Sequence, residues 1–239
     1  MDRVVVTGVG AVTPIGNDAQ TFWKNLMAGV SGIDRITAFD SSNLEVRIAA
    51  EVKDFDPKQF IDFKDARRMD RFSQFAVVAA GEALRDARLE ITPEESERVG
   101  VMINTGGGGI PALTREVLTH HTKGPRRVSP FFIPMFAPNM AACQVSITYD
   151  IHGPVMASVA ACAAGMQAFV DALRMLRLGE VDVIIAGGTE AGVDPVSVAA
   201  FGNMGALSKR NDDPQHASRP FDRDRDGFVF GEGCGVLIL

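Results

Sequence analysis

The chain has 239 residues, of which 46% are hydrophobic and 23% charged, and its formal net charge is −6. It is long enough for one large core or two small domains, and its composition excludes collagen, coiled-coil and disordered classes. The acidic balance argues against nucleic-acid binding, and no apolar segment approaches the ~20 residues of a membrane helix. Three cysteines without a secretory signal favour free thiols and a cytoplasmic protein.

Apolar runs alternate with helical patterns along the chain. The three-and-four spacing of apolar residues predicts a helix over Asp65–Ala87, and alanine-rich Ala163–Leu178 predicts a largely buried helix capped by Gly179. Strands that alternate with helices predict an α/β fold with a mostly parallel sheet. The buried strands are predicted at Val4–Val6, Val99–Ile103, Val155–Val159, Val181–Ala186 and Gly235–Leu239.

Two glycine clusters follow predicted strands, but neither indicates a nucleotide site. Gly8-Val9-Gly10 lacks the third glycine of the dinucleotide fingerprint, because Thr13 stands there and Pro14 interrupts the expected helix. Gly106–Gly109 lacks the Lys-Ser/Thr of a phosphate loop, so we expect it to let backbone or ligand approach closely. We therefore predict no nicotinamide or flavin cofactor.

Histidines are few and scattered. None stands at a metal-ligand spacing from cysteines or carboxylates, so we predict no metal site. The four positions are His120, His121, His152 and His216.

Cys162 stands where a predicted buried strand runs into the alanine-rich helix. A thiol at this point meets the positive end of the helix dipole and free backbone N–H groups, which favour the nucleophilic thiolate. The alternative is a small core cysteine among alanines, and spacing alone leaves both readings open. Cys143 and Cys234 lack this setting, and we predict that both pack in the core.

Positive side chains are clustered on this acidic chain. Positions 64, 67, 68 and 71 carry Lys or Arg at three-and-four spacing, which predicts one shared outward helix face, and Arg126-Arg127 are adjacent. Such a patch suggests a small acidic partner, and the alternative is a merely solvated helix face.

Several motifs together resemble the β-ketoacyl-[acyl carrier protein] synthases, of the elongating (type II) kind. The resemblance implies a thiolase-like layered α/β fold, of which residues 1–239 form the N-terminal αβα half with a mostly parallel mixed sheet. It extends in order over essentially the whole chain. The matching segments are Val5–Gly10, Gly16-Asn17, Ser129–Pro134, Cys162 with Gly165, Gly187–Glu190, Ala206–Ser208, Ser218–Asp222 and Arg225–Val229.

The resemblance implies that Cys162 takes an acyl group from acyl carrier protein as a thioester, which then condenses with decarboxylated malonyl-carrier protein. It also implies that Gly107, Phe132, Ile133 and Phe201 border the acyl pocket. The Phe132–Ile133 segment would reach into the neighbouring subunit of a homodimer. In many relatives a branched aliphatic residue gates the acyl pocket at the position where this chain has Gly107. Either another residue serves as the gate in this chain, or the pocket has no gate.

The resemblance further implies a docking patch for acyl carrier protein, formed by Lys64, Arg67, Arg68, Arg126 and Arg127. The family's catalytic histidines belong to a second half absent from these residues, so we expect the isolated chain to be inactive. Two alternatives stay open. One is a non-catalytic pairing subunit like the chain-length factors, which lack the cysteine; the other is an initiating synthase or thiolase that uses coenzyme A thioesters.

Overall fold

The computed structural model describes residues 3–239; Met1 and Asp2, which open the segment without secretory-signal features, lie outside it. No helix in the described part of the chain is both long and apolar enough to cross a membrane. Seven strands form within residues 3–239: β1 (Gly8–Val12), β2 (Asp34–Arg35), β3 (Ile48–Ala49), β4 (Val99–Asn104), β5 (Val155–Met156), β6 (Val183–Glu190) and β7 (Gly233–Ile238).

Eight α-helices connect these strands, again counting residues 3–239. They are α1 (Ala19–Met27), α2 (Phe63–Ala66), α3 (Arg71–Ala87), α4 (Ile110–Lys123), α5 (Phe132–Phe136), α6 (Met140–Thr148), α7 (Ala164–Leu178) and α8 (Pro195–Asn203).

Five strands form the main sheet, in the order β1-β7-β6-β4-β5. Strand β4 is parallel to both of its neighbours, whereas β7 is antiparallel to both of its own. Four strands therefore point in one direction and only β7 points in the other. This confirms the predicted mostly parallel mixed sheet. Strands β2 and β3 form a separate two-stranded ribbon.

Helices cover both faces of the sheet, as the predicted αβα layering requires. Phe72 and Phe75 of α3 are fully buried in the larger core, together with apolar residues of α6. On the opposite face, Ala168 and Ala172 of α7 pack against Ile184 of β6. Small alanine side chains let this helix lie close to the strands.

Helix α7 matches its predicted ends but not its predicted burial. It ends at Gly179, whose φ of 71° lies in the left-handed region, and the Gly179 N–H donates to the Leu176 carbonyl at 3.1 Å. However, only one face is buried, while Met166 and Leu178 are exposed. The prediction of a largely buried helix was therefore wrong, although apolar residues lie on several of its faces.

Two strand predictions were wrong. Residues Val4–Val6 form no strand, and β1 begins only at Gly8, which pairs with Ile238 of β7. The strand predicted over Val155–Val159 ends at Met156, since only Val155 and Met156 pair with β4. The other three strands are confirmed within a few residues.

The helix predicted over Asp65–Ala87 is broken into α2 and α3, since Asp70 between them has an extended backbone. Arg71 consequently leaves the predicted outward basic face. Its guanidinium binds the Glu232 carboxylate, with Nη2–Oε1 at 2.9 Å, and donates to the Val52 carbonyl at 2.7 Å. It also stacks on the Phe75 ring at 4.7 Å from the centroid. Arg71 is therefore a structural residue.

Gly8 and Gly10 allow a close approach between β1 and α3. A Cβ at Gly10 would collide with the carbonyl oxygen of Ala79, and one at Gly8 with that of Ala83. The Gly-x-Gly pair thus serves helix–strand packing.

We expect Gly10→Ala to lower the free energy of unfolding by about 3 kcal/mol, because a methyl group pressed against helix backbone forces the two elements apart. Gly235→Ala on the adjacent strand is the matched control, since a Cβ there has no atom within 4 Å. Urea titrations of both variants measure the difference. Equal destabilisation by the two substitutions would contradict the packing role of Gly10.

Candidate active site

The candidate site lies at one edge of the main sheet. The parallel strands β4 and β6 end there at Asn104 and Glu190, and α7 begins beside them. Ligands of open α/β sheets bind at the carboxyl ends of such strands. A cavity of about 690 Å³ opens at this edge, and Cys162 is among its lining residues.

Cys162 occupies a single 3₁₀ turn, Ala161–Ala163, immediately before α7. The thiol is exposed to the cavity side of this turn. Ala161 has a φ of 47°, a left-handed conformation that costs a residue with a Cβ on the order of 1–3 kcal/mol. Backbone strain next to a nucleophile also occurs at the strand-to-helix elbows of hydrolases. The turn thus presents the thiol in the way that such elbows present a serine.

Asn104 fixes the Cys162 turn from both sides, although the sequence analysis did not single it out. Its Nδ2 donates to the Ala164 carbonyl at 2.9 Å, and its Oδ1 accepts from the Ser158 N–H at 2.9 Å. The side chain is 2% exposed. An amide that ends an otherwise apolar buried strand was the available signal, because buried polar groups need a specific partner.

The first turn of α7 rests directly on β6. A Cβ at Gly188 would lie only 2.8 Å from the Cα of Gly165, so Gly188 has no room for a side chain. The N-cap residue, Ala163, has no side chain that can accept a hydrogen bond. The Ala163 side chain therefore does not cap the first-turn N–H groups near Cys162, and these groups can face an anion.

Glu190 anchors the glycine loop that forms one wall of the cavity. Its carboxylate accepts from the Thr105 hydroxyl at 3.0 Å and from the Gly106 N–H at 2.8 Å. Burial raises the pKa of Glu190, and these hydrogen bonds offset part of that rise. In the sequence Glu190 stands out only as the last residue of the Gly187–Glu190 motif, which does not predict this anchoring role.

Aromatic rings form the opposite wall. Phe201 contacts Phe228 edge-on, with centroids 5.6 Å apart, and Phe230 at 5.4 Å. All three rings line the cavity with Cys162. The site is therefore a largely apolar cavity with the Cys162 thiol in its lining. Among residues 3–239, no group of three or more His, Cys, Asp or Glu side chains is arranged to hold a metal ion.

The four residues predicted for the acyl pocket divide into two pairs. Gly107 and Phe201 line the same cavity as Cys162. Phe132 and Ile133 are not among its lining residues; they lie on α5, where Phe132 stacks on Phe136 and the Ile133 side chain is 62% exposed. Their predicted role requires a neighbouring subunit and stays a prediction.

The predicted docking residues lie at the surface in two groups. Lys64, Arg67 and Arg68 are exposed on and just after α2. Arg126-Arg127 are exposed in a 3₁₀ turn. The Arg68 guanidinium lies over the ring of Phe131, four residues after Arg127, 4.9 Å from the ring centroid. We call the surface formed by these five cationic residues the basic surface.

Comparison with known proteins agrees with this geometry. The family model described as "Beta-ketoacyl synthase, N-terminal domain" matches residues 1–239. A 3-oxoacyl-[acyl-carrier-protein] synthase 2 of Synechocystis is 52% identical over 237 residues, which cover 99% of this chain and 57% of that protein. The chain thus spans little more than half the length of this curated relative.

Two solved structures share the fold. The ishigamide ketosynthase/chain length factor superposes with a TM-score of 0.88 at 30% identity, over 98% of this chain and 57% of that chain. A ketosynthase in complex with a type II polyketide acyl-carrier protein superposes with a TM-score of 0.84 at 32% identity, over 99% of this chain and 57% of that one. These matches confirm the thiolase-like fold.

We expect iodoacetamide to modify Cys162 in the folded protein and to spare Cys234 until the chain is unfolded. Cys162 is exposed, whereas burial raises the pKa of the Cys234 thiol to about 12 and keeps it protonated near neutral pH. Peptide mapping with and without urea measures both sites. A Cys143→Ala variant removes the remaining, half-buried thiol as a source of label. Native-state modification of Cys234 at the rate of Cys162 would contradict the assignment.

Proposed function

The chain belongs to the β-ketoacyl synthase family, and we propose that it is the nucleophile-bearing half of an enzyme that elongates fatty acyl chains on acyl carrier protein. The observation that carries the proposal is the position of Cys162: an exposed thiol on a strained turn, in the lining of an apolar cavity. The name and high identity of the Synechocystis relative support the fatty-acid pathway.

The proposed reaction proceeds in two steps. First, the Cys162 sulfur attacks the carbonyl of an acyl-carrier thioester, a new C–S bond forms, and the carrier thiol leaves with the proton. Second, malonyl-carrier protein loses carbon dioxide, and its carbanion attacks the acyl-cysteine carbonyl and expels the Cys162 thiolate. The backbone N–H of Cys162 serves as one donor to the tetrahedral oxyanion.

The cavity suits an acyl chain better than a polar substrate. Its walls are the glycine loop on one side and the three phenyl rings on the other, and both are mainly apolar. Apolar walls with a few placed polar groups are usual for lipid-like and other small ligands. We assign Gly107 and Phe201 to the acyl pocket on this basis.

The basic surface is proposed as the docking site for acyl carrier protein, loaded with either acyl or malonyl groups. The solved ketosynthase in complex with an acyl-carrier protein supports this partner. A chain with a net charge of −6 needs a local positive patch to attract an acidic carrier. Because the patch is exposed, it contributes mainly to encounter and orientation.

We further propose that the whole protein is a cytoplasmic homodimer in which α5 reaches the neighbouring subunit. Helix α5 abuts the cavity wall, since the Gly109 N–H donates to the Phe136 carbonyl at 3.1 Å. The exposed Ile133 and the apolar Phe131–Phe136 segment favour burial against a partner.

A second candidate is a pairing subunit, which the likeness to a ketosynthase/chain length factor supports. Chain-length factors resemble ketosynthases but lack the nucleophilic cysteine. Cys162 is present, so we rank the catalytic function first. An initiating synthase or thiolase is the third candidate, and its preference for coenzyme A thioesters over carrier thioesters would identify it.

The isolated 239-residue chain should form no ketoacyl product above a Cys162→Ala control. Decarboxylation places negative charge on the malonyl thioester oxygen, and in this family the donors to that oxygen are histidines of a second half. One oxyanion donor alone is worth about 10²–10³ in rate. Product formation by the purified chain, followed by mass spectrometry of the carrier protein, would refute this expectation.

In the full-length protein, Arg67→Glu with Arg68→Glu should raise the KM for acyl-carrier protein at least about tenfold at low salt, because charge reversal repels an acidic partner. Turnover of a small pantetheine thioester, which needs no docking, should change little. Steady-state kinetics with both substrates measure the difference.

The matched control reverses the same number of charges at the other end of α3, with Arg85→Glu and Arg88→Glu. Helix α3, which is about 25 Å long at 1.5 Å per residue, separates these residues from Arg67 and Arg68. They should leave the KM unchanged. Equal losses with carrier and pantetheine substrates would make Arg67 and Arg68 structural residues.

A further inference from the structure

The cavity that contains Cys162 has one wall almost without side chains. Residues Gly106 and Gly107 expose only backbone to it, and the next lining residue along the chain is Ile110. Among the described residues that line the cavity, Ile110 is the only one with a branched aliphatic side chain. It is the first residue of α4.

The Ile110 side chain fills the space above Gly107. A Cβ at Gly107 would lie 2.7 Å from the Cδ1 of Ile110 and 3.4 Å from its Cγ1. The next nearest atom, an oxygen of Glu190, is 3.6 Å away and imposes no clash. Position 107 and the end of the Ile110 side chain therefore compete for one volume beside Cys162.

The surroundings of Ile110 are held in place, whereas its terminal methyl group can move. Glu190 binds Gly106, and the Thr105 hydroxyl accepts from the Gly108 N–H at 3.1 Å. The opposite wall is the interlocked set of phenyl rings. In a helix the χ1 of isoleucine is confined, but rotation about χ2 swings Cδ1 between staggered positions.

We propose that Ile110 is a specificity-determining residue whose terminal methyl group limits how far an acyl chain on Cys162 can extend along the glycine wall. Chains that end before Ile110 leave it undisturbed, and longer chains must displace Cδ1 from above Gly107. The inference rests on the proposed function, because it assumes that Cys162 carries the acyl group.

Steric complementation tests the proposal in the full-length protein. Ile110→Ala removes the obstruction, whereas Gly107→Ala takes the volume of Cδ1 and forces Ile110 toward the chain. Gly107 does not have a positive φ, and the atom that its new methyl group meets is the flexible end of a side chain, so this variant is expected to fold. In the double variant, with alanine at both positions, the methyl group at position 107 no longer meets a side chain at position 110, so the acyl chain can pass.

The measurement is the rate at which butyryl, octanoyl and palmitoyl pantetheine thioesters acylate Cys162, followed by intact mass. Relative to butyryl transfer, palmitoyl transfer should rise about tenfold in Ile110→Ala and fall about tenfold in Gly107→Ala, since one or two methylene-sized groups in an apolar pocket have such effects. The double variant should recover most of the palmitoyl transfer that Gly107→Ala loses.

Ile110→Val and Ile184→Val form the matched control pair, because each deletes one methyl group and Ile184 is buried in the core away from the cavity. Only Ile110→Val should change the chain-length ratio. An unchanged ratio in Ile110→Ala, or a double variant as restrictive as Gly107→Ala, would overturn the role of Ile110. Absence of Cys162 acylation by all three thioesters in the unsubstituted enzyme would instead overturn the proposed function.

Discussion

The contact between the first turn of α7 and strand β6 determines where the thiol stands. Gly165 and Gly188 meet backbone to backbone, so the helix begins at the very edge of the sheet and not above its middle. A side chain at Gly188 would collide with the Gly165 backbone, lift the helix and move Cys162 away from the cavity. Asn104 then fixes the approach to the turn and its exit with two hydrogen bonds. The strain at Ala161 persists because both flanks are held.

Glu190 shows that this edge is built at some cost in stability. Burial raises its pKa, so the folded chain holds the proton to a higher pH than the unfolded chain does. Stability therefore falls as the pH rises from the unfolded pKa to the folded one, because the folded state binds more protons over that range. The carboxylate nevertheless accepts from the Thr105 hydroxyl and the Gly106 N–H. These two hydrogen bonds hold the Gly106–Gly109 loop in one position. Without them the loop would be flexible, because its glycines have no side chains to pack.

Local sequence patterns predicted those helices and helix ends that depend only on residues close to one another in the chain. The apolar spacing of α3 and the glycine that ends α7 are decided within a few residues. Val4–Val6 looked equally strand-like, but β1 begins only at Gly8, opposite Ile238 of β7. Asn104 could not be recognised as the residue that fixes the turn, because its two partners lie more than fifty residues away in the sequence.

The basic residues around the start of α3 also show that helical spacing alone does not predict which way a side chain points. Arg67, Arg68 and Arg71 have helical spacing, which assigns them one face. Asp70 interrupts the helix, and Arg71 turns inward to Glu232, whose side chain is only 7% exposed. That pairing is needed because a buried carboxylate without a cation is costly. Arg67 and Arg68 have no such buried partner and remain at the surface, where the Arg68 guanidinium lies over the Phe131 ring. Neighbouring arginines thus have opposite environments: Arg71 neutralises a buried carboxylate, and the other two keep their charge at the surface.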